Sequence, residues 1–357
     1  MKIIHTADLH LGSRLTSKFP KDIADMRKRE LRDTFQRLAE YAKTDGVRVI
    51  LLAGDVFDSD NPSKKDRDFF LSVVKNFPDI DFLYLRGNHD REETGADYPE
   101  NLRGFGKEWT YYSYGNVTVA GIELCAENAR SCASSLVLDK NRLNIVTMHG
   151  SIGEDGGSDS VSLKKLRDRN VDYLALGHIH KPGEGTIGDG RGIWAYPGCL
   201  EGRGFDEPGK HGFLLLETDG NTLTRTFLPF AKREIVETDA DITGCGSDYD
   251  AYRKVRASVK FNKEFIYRIN LVGDIGFDTE IDAKAVEDAL RLDKLCLFAD
   301  VKNKTKRAVD YDAYENDPSV KGEFVRLVRT DNSLSEEDRA TVIRCGLHAM
   351  EGRELPL

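Results

Sequence analysis

Within the first 180 residues, five apolar runs each stop at a glycine, a carboxylate or a histidine. Lys2–Thr6 passes into Asp8-Leu9-His10, and Val47–Ala53 into Gly54-Asp55. Residues 82–85 lead into Gly87-Asn88-His89-Asp90, 143–148 into His149-Gly150, and 173–176 into Gly177-His178-Ile179-His180. Short apolar runs closed by glycine are strand signals, and one as nearly continuous as Val47–Ala53 suits a strand covered on both faces. Between them, Leu31, Phe35, Leu38 and Ala42 recur at helical spacing over 24–42, and Phe69, Phe70, Val73 and Phe77 mark a second helix. Strands alternating with helices predict a layered α/β domain, and in such domains active sites collect where strands end.

The alternation continues through strand patterns at 116–124 and 212–217 and stops near residue 235, so the first domain is assigned to 1–237. The stretch 238–250 is acidic and polar, carries Gly244 and Gly246, and reads as a linker. Beyond it, strand patterns at 265–272 and 295–300 flank a helix pattern at 283–290, giving a small α+β domain over 238–307. The remainder, 308–357, holds helix patterns over 317–329 and 335–352. The second opens at Ser335 with Glu336, Glu337 and Asp338 in its first turn, an N-cap followed by acids at the positive end of the helix dipole. The glycine-rich segments 153–160 and 183–192 read as flexible loops.

Composition removes several functions. The 52 Lys and Arg against 61 Asp and Glu leave a net charge of −9, which excludes a generally basic nucleic-acid coat. Any nucleic-acid contact then falls to local basic patches or to bound metal. No apolar run approaches the ~18–20 residues of a membrane helix, and the N-terminus enters a strand without the pattern of a signal peptide. The six cysteines form no Cys-x-x-Cys pair and are too sparse for a disulfide scaffold. Reduced thiols in a cytoplasmic protein are expected.

Asp8, His10, Asp55, Asn88, His149, His178 and His180 together offer two carboxylates, one amide oxygen and four imidazoles. Mixed oxygen and nitrogen sets suit manganese, iron or zinc rather than calcium or magnesium alone. Singly, each residue is better read as a cap or turn polar. As an ordered set they exceed the about four to six ligands of one ion and point to two. A carboxylate can bridge two cations ~3.5–4 Å apart, and such a pair clamps a phosphoryl oxygen and supplies the nucleophile. Hydrolysis of a phosphate ester is the chemistry that fits. Elsewhere the plainer readings prevail: His5 packs in the core, His211 and His348 are structural or exposed, and Tyr111, Tyr112 and Tyr114 pack rather than stack on bases. Two basic groups flank the motifs, Arg14, Lys18 and Lys21 with Arg27, Lys28 and Arg29 after the first, Lys64 and Lys65 after the second. Either could contact phosphates, and either could be a solvated charged face.

The ordered series DxH, GDxxD, GNHD, HG and GHxH resembles the calcineurin-like metallophosphoesterase superfamily. Within it the chain is most similar to the bacterial DNA repair exonucleases of the SbcD/YhaO type, relatives of the nuclease that works with a coiled-coil ATPase in double-strand-break repair. The resemblance is carried by His5-Thr6-Ala7-Asp8-Leu9-His10-Leu11-Gly12, by Gly54-Asp55-Val56-Phe57-Asp58 followed by Asn61-Pro62-Ser63, by Gly177-His178-Ile179-His180-Lys181-Pro182, and by Tyr196-Pro197-Gly198. It is strong over 1–230 and thinner over 238–357.

The resemblance implies a metallophosphoesterase β-sandwich flanked by helices, in the α/β (α+β) class, with a small α+β cap and a C-terminal helical segment. It implies two divalent ions, manganese foremost, with iron, zinc or magnesium as alternatives. One would be held by Asp8, His10, Asp55 and His180, the other by Asp55, Asn88, His149 and His178, with Asp55 as the bridge. His89 would help the leaving oxygen depart, and Asp90 would orient or charge the His89 ring. The implied activity is a manganese-dependent DNA exonuclease, 3′ to 5′ on linear duplex, with single-strand nicking. Arg14, Lys18, Lys64 and Lys65 are the DNA-contact candidates. The implied partners are DNA, an SbcC-like coiled-coil ATPase held by 308–357, and a second copy paired through the helix that carries Phe69 and Phe70. No membrane is implied, and the location is cytoplasmic, with the nucleoid during repair. Archaeal and eukaryotic relatives have a histidine where this chain has Asp58; the bacterial branch has aspartate. A small-molecule or nucleotide phosphodiesterase of the same superfamily is the rival enzyme, disfavoured by the second domain. A non-catalytic scaffold is the rival of another class, disfavoured because no ligand is missing.

Overall fold

Alternation along the strands builds the architecture. The computed structural model describes residues 1–90, 98–154, 157–188, 191–276, 279–309 and 311–352, and the chain divides into two compact units, Met1–Ile235 and Val236–Leu357. The first unit begins with β1 (Lys2–Thr6), α1 (Lys21–Thr44), β2 (Val47–Ala53), α2 (Lys64–Asn76), β3 (Asp81–Leu85) and β4 (Leu102–Gly104). It continues with β5 (Thr110–Tyr114), β6 (Val117–Gly121), α3 (Cys132–Ser135), β7 (Leu143–His149), β8 (Ser151–Ile152), β9 (Ser160–Val161), α4 (Leu163–Leu166) and β10 (Tyr173–Gly177). Strands β11 (Gly183–Thr186), β12 (Ile193–Tyr196), β13 (Gly212–Thr218) and β14 (Leu223–Pro229) complete it.

Two six-stranded sheets result, ordered β14-β13-β1-β2-β3-β4 and β11-β12-β10-β7-β6-β5. In the first, β1 to β4 run parallel, and in the second β6, β7, β10 and β12 do. The sheets pack face to face. Ile3, Val49, Leu51, Leu83 and Leu216 from one meet Val119, Ile145, Tyr173 and Ala195 from the other in one buried cluster. The intervening positions Ile4, Ile50 and Phe82 face the other way and are equally buried. Helices α1 and α2 cover that side, where the Phe35 ring lies 5.6 Å from Phe70 and 6.4 Å from Phe82. The outer face of the second sheet is closed by α3 and α4, with Ala133 and Leu166 against Val146, Met148 and Leu174. The near-continuous apolar run of β2 follows from burial on both faces. The sandwich with helical flanks is the fold the sequence resemblance implied.

The second unit comprises most of β15 (Ile235–Asp241), then α5 (Asp248–Ser258), β16 (Ile266–Val272), β17 (Asp274–Gly276), α6 (Ala283–Leu292), β18 (Phe298–Asn303), β19 (Lys306–Ala308), α7 (Tyr311–Glu315), α8 (Val320–Arg329) and α9 (Glu336–Met350). A three-stranded sheet, β15-β16-β18, packs on α5 and α6 through Ala251, Val255, Ile269, Val286 and Leu290. Val325, Ile343 and Leu347 form a separate small core between α8 and α9. The Ser335 hydroxyl accepts from the Asp338 amide at 3.1 Å, the cap expected there.

Two readings of the sequence need correction. The segment 238–250 is not a linker: β15 occupies its start as a sheet edge, and Ala240, Ile242 and Cys245 are buried. The acids of the strand, Glu237, Asp239 and Asp241, sit on its solvent side. The glycines of 183–192 do not make a simple loop either, since β11 pairs antiparallel with β12. A Cβ on Gly185 would stand 2.7 Å from Trp194, so the indole takes the space a side chain would need. No helix among the described residues is long and apolar enough to cross a membrane, and all six cysteines are unpaired.

Candidate metal centre

The C-terminal ends of β1, β2 and β3 in one sheet and of β7 and β10 in the other carry the five motifs of the ordered series. Backbone strain gathers there. Among the described residues six non-glycine residues have positive φ, and four of them are Asp8 (52°), His10 (44°), Asp55 (50°) and His178 (98°). Such conformations cost on the order of 1–3 kcal/mol each and persist where surrounding structure enforces them, typically at functional sites. Gly54 has φ 100°, and a Cβ there would lie 2.1 Å from His149 Nδ1. The glycine lets the Asp55 loop pass directly under the imidazole of the opposite sheet.

Hydrogen bonds set the direction of each donor atom. His149 Nδ1 donates to the Ala53 carbonyl at 2.9 Å. Its Nε2 is buried, has no hydrogen-bond partner, and lies 3.3 Å from Asp55 Oδ2. Asp55 Oδ2 is also 3.9 Å from His10 Nε2, and Oδ1 accepts from the His89 amide at 3.0 Å. The Asp8 carboxylate accepts from the His178 amide at 3.0 and 3.1 Å. His10 Nε2 and His180 Nε2 converge to 3.1 Å. Two nitrogens each about 2.1 Å from one ion, at roughly right angles, would lie about 3 Å apart. Two overlapping groups therefore have ligand geometry: Asp8, His10 and His180, and Asp8, Asp55 and His149, each with donor atoms within 4.8 Å of one another. This fits a pair of divalent cations: an orphaned buried imidazole nitrogen, two convergent imidazoles, and two buried carboxylates between them.

The charges are coupled accordingly. Burial pushes the Asp8 carboxyl up, against the pull of His149, His10 and His180. Burial likewise opposes ionisation of Asp55, but the close approach and charge of His149 outweigh it and hold the carboxyl well below the usual range. For His149, burial disfavours the cation, yet Asp55 and Asp8 push its pKa up to about 9. Burial lowers His10 and His178. A cation here would replace protons that these acids and imidazoles share.

The other singled-out residues sort as follows. His178 is half-buried, its ring 5.3 Å from that of His149. Asn88 and His89 are exposed in the turn after β3, with the His89 ring 5.6 Å from that of His10. Asp90 does not orient the His89 ring. Its carboxylate accepts from the backbone amides of Val56, Phe57 and Gly87 at 3.2, 3.0 and 3.1 Å, tying the Asp55 loop to the Asn88 turn. Burial raises its pKa to about 6. Arg14, Lys64 and Lys65 are exposed, while Lys18 is paired with Asp206 at 2.9 Å. Arg27 is no part of a solvated face: it is 1% exposed and bonds Glu30, Glu201 and the Gly202 carbonyl. His5 is buried between Tyr173 Oη (2.8 Å) and the Leu176 carbonyl (3.2 Å), a core histidine. Cys199 is a buried thiol 3.2 Å from His211 Nδ1.

Sequence reasoning missed Arg203 and Glu207. Glu207 Oε1 lies 2.8 Å from His180 Nδ1, and Arg203 Nη1 lies 2.9 Å from Asp58 Oδ1. Their only sequence signal is an arginine and a glutamate four residues apart, which looks like any surface pair.

Comparison with known proteins agrees with this geometry. Residues 1–182 match the family described as calcineurin-like phosphoesterase. The metallophosphoesterase YhaO of Bacillus subtilis is 28% identical over 246 residues, covering 64% of this chain and 60% of YhaO. The DNA double-strand break repair protein Mre11 of Sulfurisphaera tokodaii is 25% identical over 286 residues, 74% of this chain and 70% of that protein. The SbcD component of the nuclease SbcCD of Staphylococcus epidermidis is 25% identical over 288 residues, 67% of this chain and 73% of that component. This chain thus spans less than two thirds of YhaO.

Proposed function

From a chain that belongs to the calcineurin-like phosphoesterase family, we propose a two-metal phosphodiester hydrolase that acts on DNA as an exonuclease, 3′ to 5′ on linear duplex, with manganese as the working ion. The observation that carries the chemistry is the meeting of Asp8, Asp55, His10, His149 and His180 at the ends of parallel strands from both sheets. Similarity to Mre11 and to the SbcCD nuclease supports DNA as substrate. In this reading one ion is held by Asp8, His10, Asp55 and His180, and the other by Asp55, Asn88, His149 and His178. When bound, the pair supplies Lewis-acid neutralisation of the phosphate and an activated water at neutral pH. Asp55 holds its place between the two positions through the His89 amide. The Ala53 carbonyl and Glu207 fix the tautomers of His149 and His180. The exposed His89 ring, 5.6 Å from that of His10, would protonate the leaving oxygen or steady its charge. In the same reading 308–357 receives a coiled-coil ATPase, the face of α2 pairs two copies, and the protein works in the cytoplasm.

The test is a nuclease assay of the full chain and an Asp8→Ala control in Mn²⁺, with an end-labelled linear duplex and bis-p-nitrophenyl phosphate in parallel. Shortening of the duplex by wild type alone is the expected result, and the label position gives polarity. Hydrolysis of the small diester alone moves the reading to a small-molecule phosphodiesterase or to an obligatory partner. No reaction from protein that binds two ions overturns the catalytic assignment.

A further inference from the structure

Asp58 and Arg203 have no part in the chemistry above, yet with Glu207 they surround one half of the metal centre. Two of its histidines present Nε2 to the same point, 3.1 Å apart. Each has a carboxylate at its Nδ1: Glu207 Oε1 at 2.8 Å from His180, and Asp58 Oδ1 at 3.2 Å from His10. The first is a good hydrogen bond; the second is a close approach off the line of one. A single guanidinium joins the two carboxylates. Arg203 Nη1 donates to Asp58 Oδ1 at 2.9 Å, and Nη2 donates to Glu207 Oε1 at 2.8 Å and itself lies 2.9 Å from His180 Nδ1, so the guanidinium touches that ring as well as the carboxylate that holds it. The Arg203 amide also donates to Glu207 Oε2 at 2.7 Å. Arg203 is only 9% exposed.

The segment is anchored from behind. Arg27 Nη2 donates to the Gly202 carbonyl at 2.7 Å and to Glu201 at 2.9 Å, and Arg233 pairs with Glu30, which Arg27 also holds. A rigid planar fork on a buried anchor can fix two acceptors at a set separation, which a flexible ammonium does poorly. Carboxylates at Nδ1 fix the tautomer and ring orientation of ligating histidines and raise their basicity.

We propose that Arg203 is a positioning residue for one metal position only: it locks Asp58 and Glu207 against the Nδ1 atoms of His10 and His180 and so aims both Nε2 atoms at a single divalent cation. This gives Asp58 a function in this chain and leaves the His149 position independent of the clamp, because that histidine is fixed by the Ala53 carbonyl. The inference rests on the metal-centre reading.

Manganese titrations of the full chain, stripped of metal, test it by calorimetry and by the electron paramagnetic resonance signal of bound Mn²⁺. The chains compared are wild type, Arg203→Met, Arg203→Lys and Asp58→Asn. Wild type is expected to bind two ions. Arg203→Met should weaken one site about 10- to 100-fold and leave the other within about twofold, with Arg203→Lys recovering part of the loss. Asp58→Asn, which keeps the size of the side chain at a partly exposed position, should weaken the same site by a smaller factor, and it reports even where Arg203→Met does not fold. Two wild-type sites with unchanged affinities in the folded variants overturn the clamp and leave the metal centre standing. Equal weakening of both sites also overturns it, as a general structural effect. A wild type that binds no manganese overturns the metal-centre reading and the clamp with it.

Discussion

His89 reaches the centre through its backbone: its amide donates to Asp55 Oδ1, while its ring stays exposed beside His10. Removing the ring should therefore spare metal binding and touch only chemistry. His89→Gln is expected to lower kcat about 10²- to 10⁴-fold, the usual worth of a positioned general acid, with two ions still bound. Steady-state kinetics beside metal analysis of the same sample checks this, and loss of an ion would reassign His89 as a ligand. His5 poses the opposite case, a histidine whose neutral form is structural. Burial pushes its pKa down to about 3, against about 6.5 in an unfolded chain. The unfolded state then binds more protons below pH 6.5, so stability falls as pH drops from about 6.5 towards 3. Between pH 7 and pH 5 this contributes about 2 kcal/mol of lost stability. Urea unfolding at both pH values should show that increment missing in His5→Gln, which keeps a donor for the Leu176 carbonyl. An identical pH dependence in the two proteins would remove His5 as its source.

Between strand and loop, the decisive position is Gly54. Its left-handed φ and the 2.1 Å approach of His149 Nδ1 leave no room for a methyl group. Gly54→Ala should cost on the order of 3 kcal/mol and displace His149 from the Ala53 carbonyl. The folded fraction should then bind one manganese ion rather than two, read by urea denaturation and metal stoichiometry; full occupancy would show that His149 is dispensable. The same local economy explains what the sequence discloses. Asp8, Asp55, His149 and His178 lie within two residues of a strand end, so the apolar run that predicts the strand also predicts the ligand's place. Arg203 and Asp58 are 145 residues apart, and no local pattern links them. Asp90 misled for a related reason: its neighbour in sequence is His89, but two of its three amide partners lie more than thirty residues back. The acids of β15 concealed an edge strand because half of such a strand is meant to be wet.

With a net charge of −9, the proposed action on DNA requires attraction drawn from few places. Near the centre the described cations thin out quickly. Lys18 is held by Asp206, Arg32 by Asp66 at 2.6 Å, and Arg27 is buried in ion pairs. Arg14, Lys64 and Lys65 remain exposed. The segments that carry them are neighbours, since a Cβ on Gly12, two residues before Arg14, would stand 2.9 Å from the carboxylate of Asp66, one residue after Lys65. Each phosphate neutralised contributes about −0.9 to the slope of log affinity against log salt. Three contacts predict a slope near −3 for duplex DNA, far shallower than for a protein with a broad basic face. Anisotropy of a labelled duplex with His89→Gln in Mn²⁺, which is expected to bind metal and cut slowly, measures it. Alanine at Arg14, Lys64 and Lys65 together should flatten the slope towards zero while metal stoichiometry stays at two. A wild-type slope steeper than about −6, or one that the triple variant leaves intact, would place the DNA on a different surface.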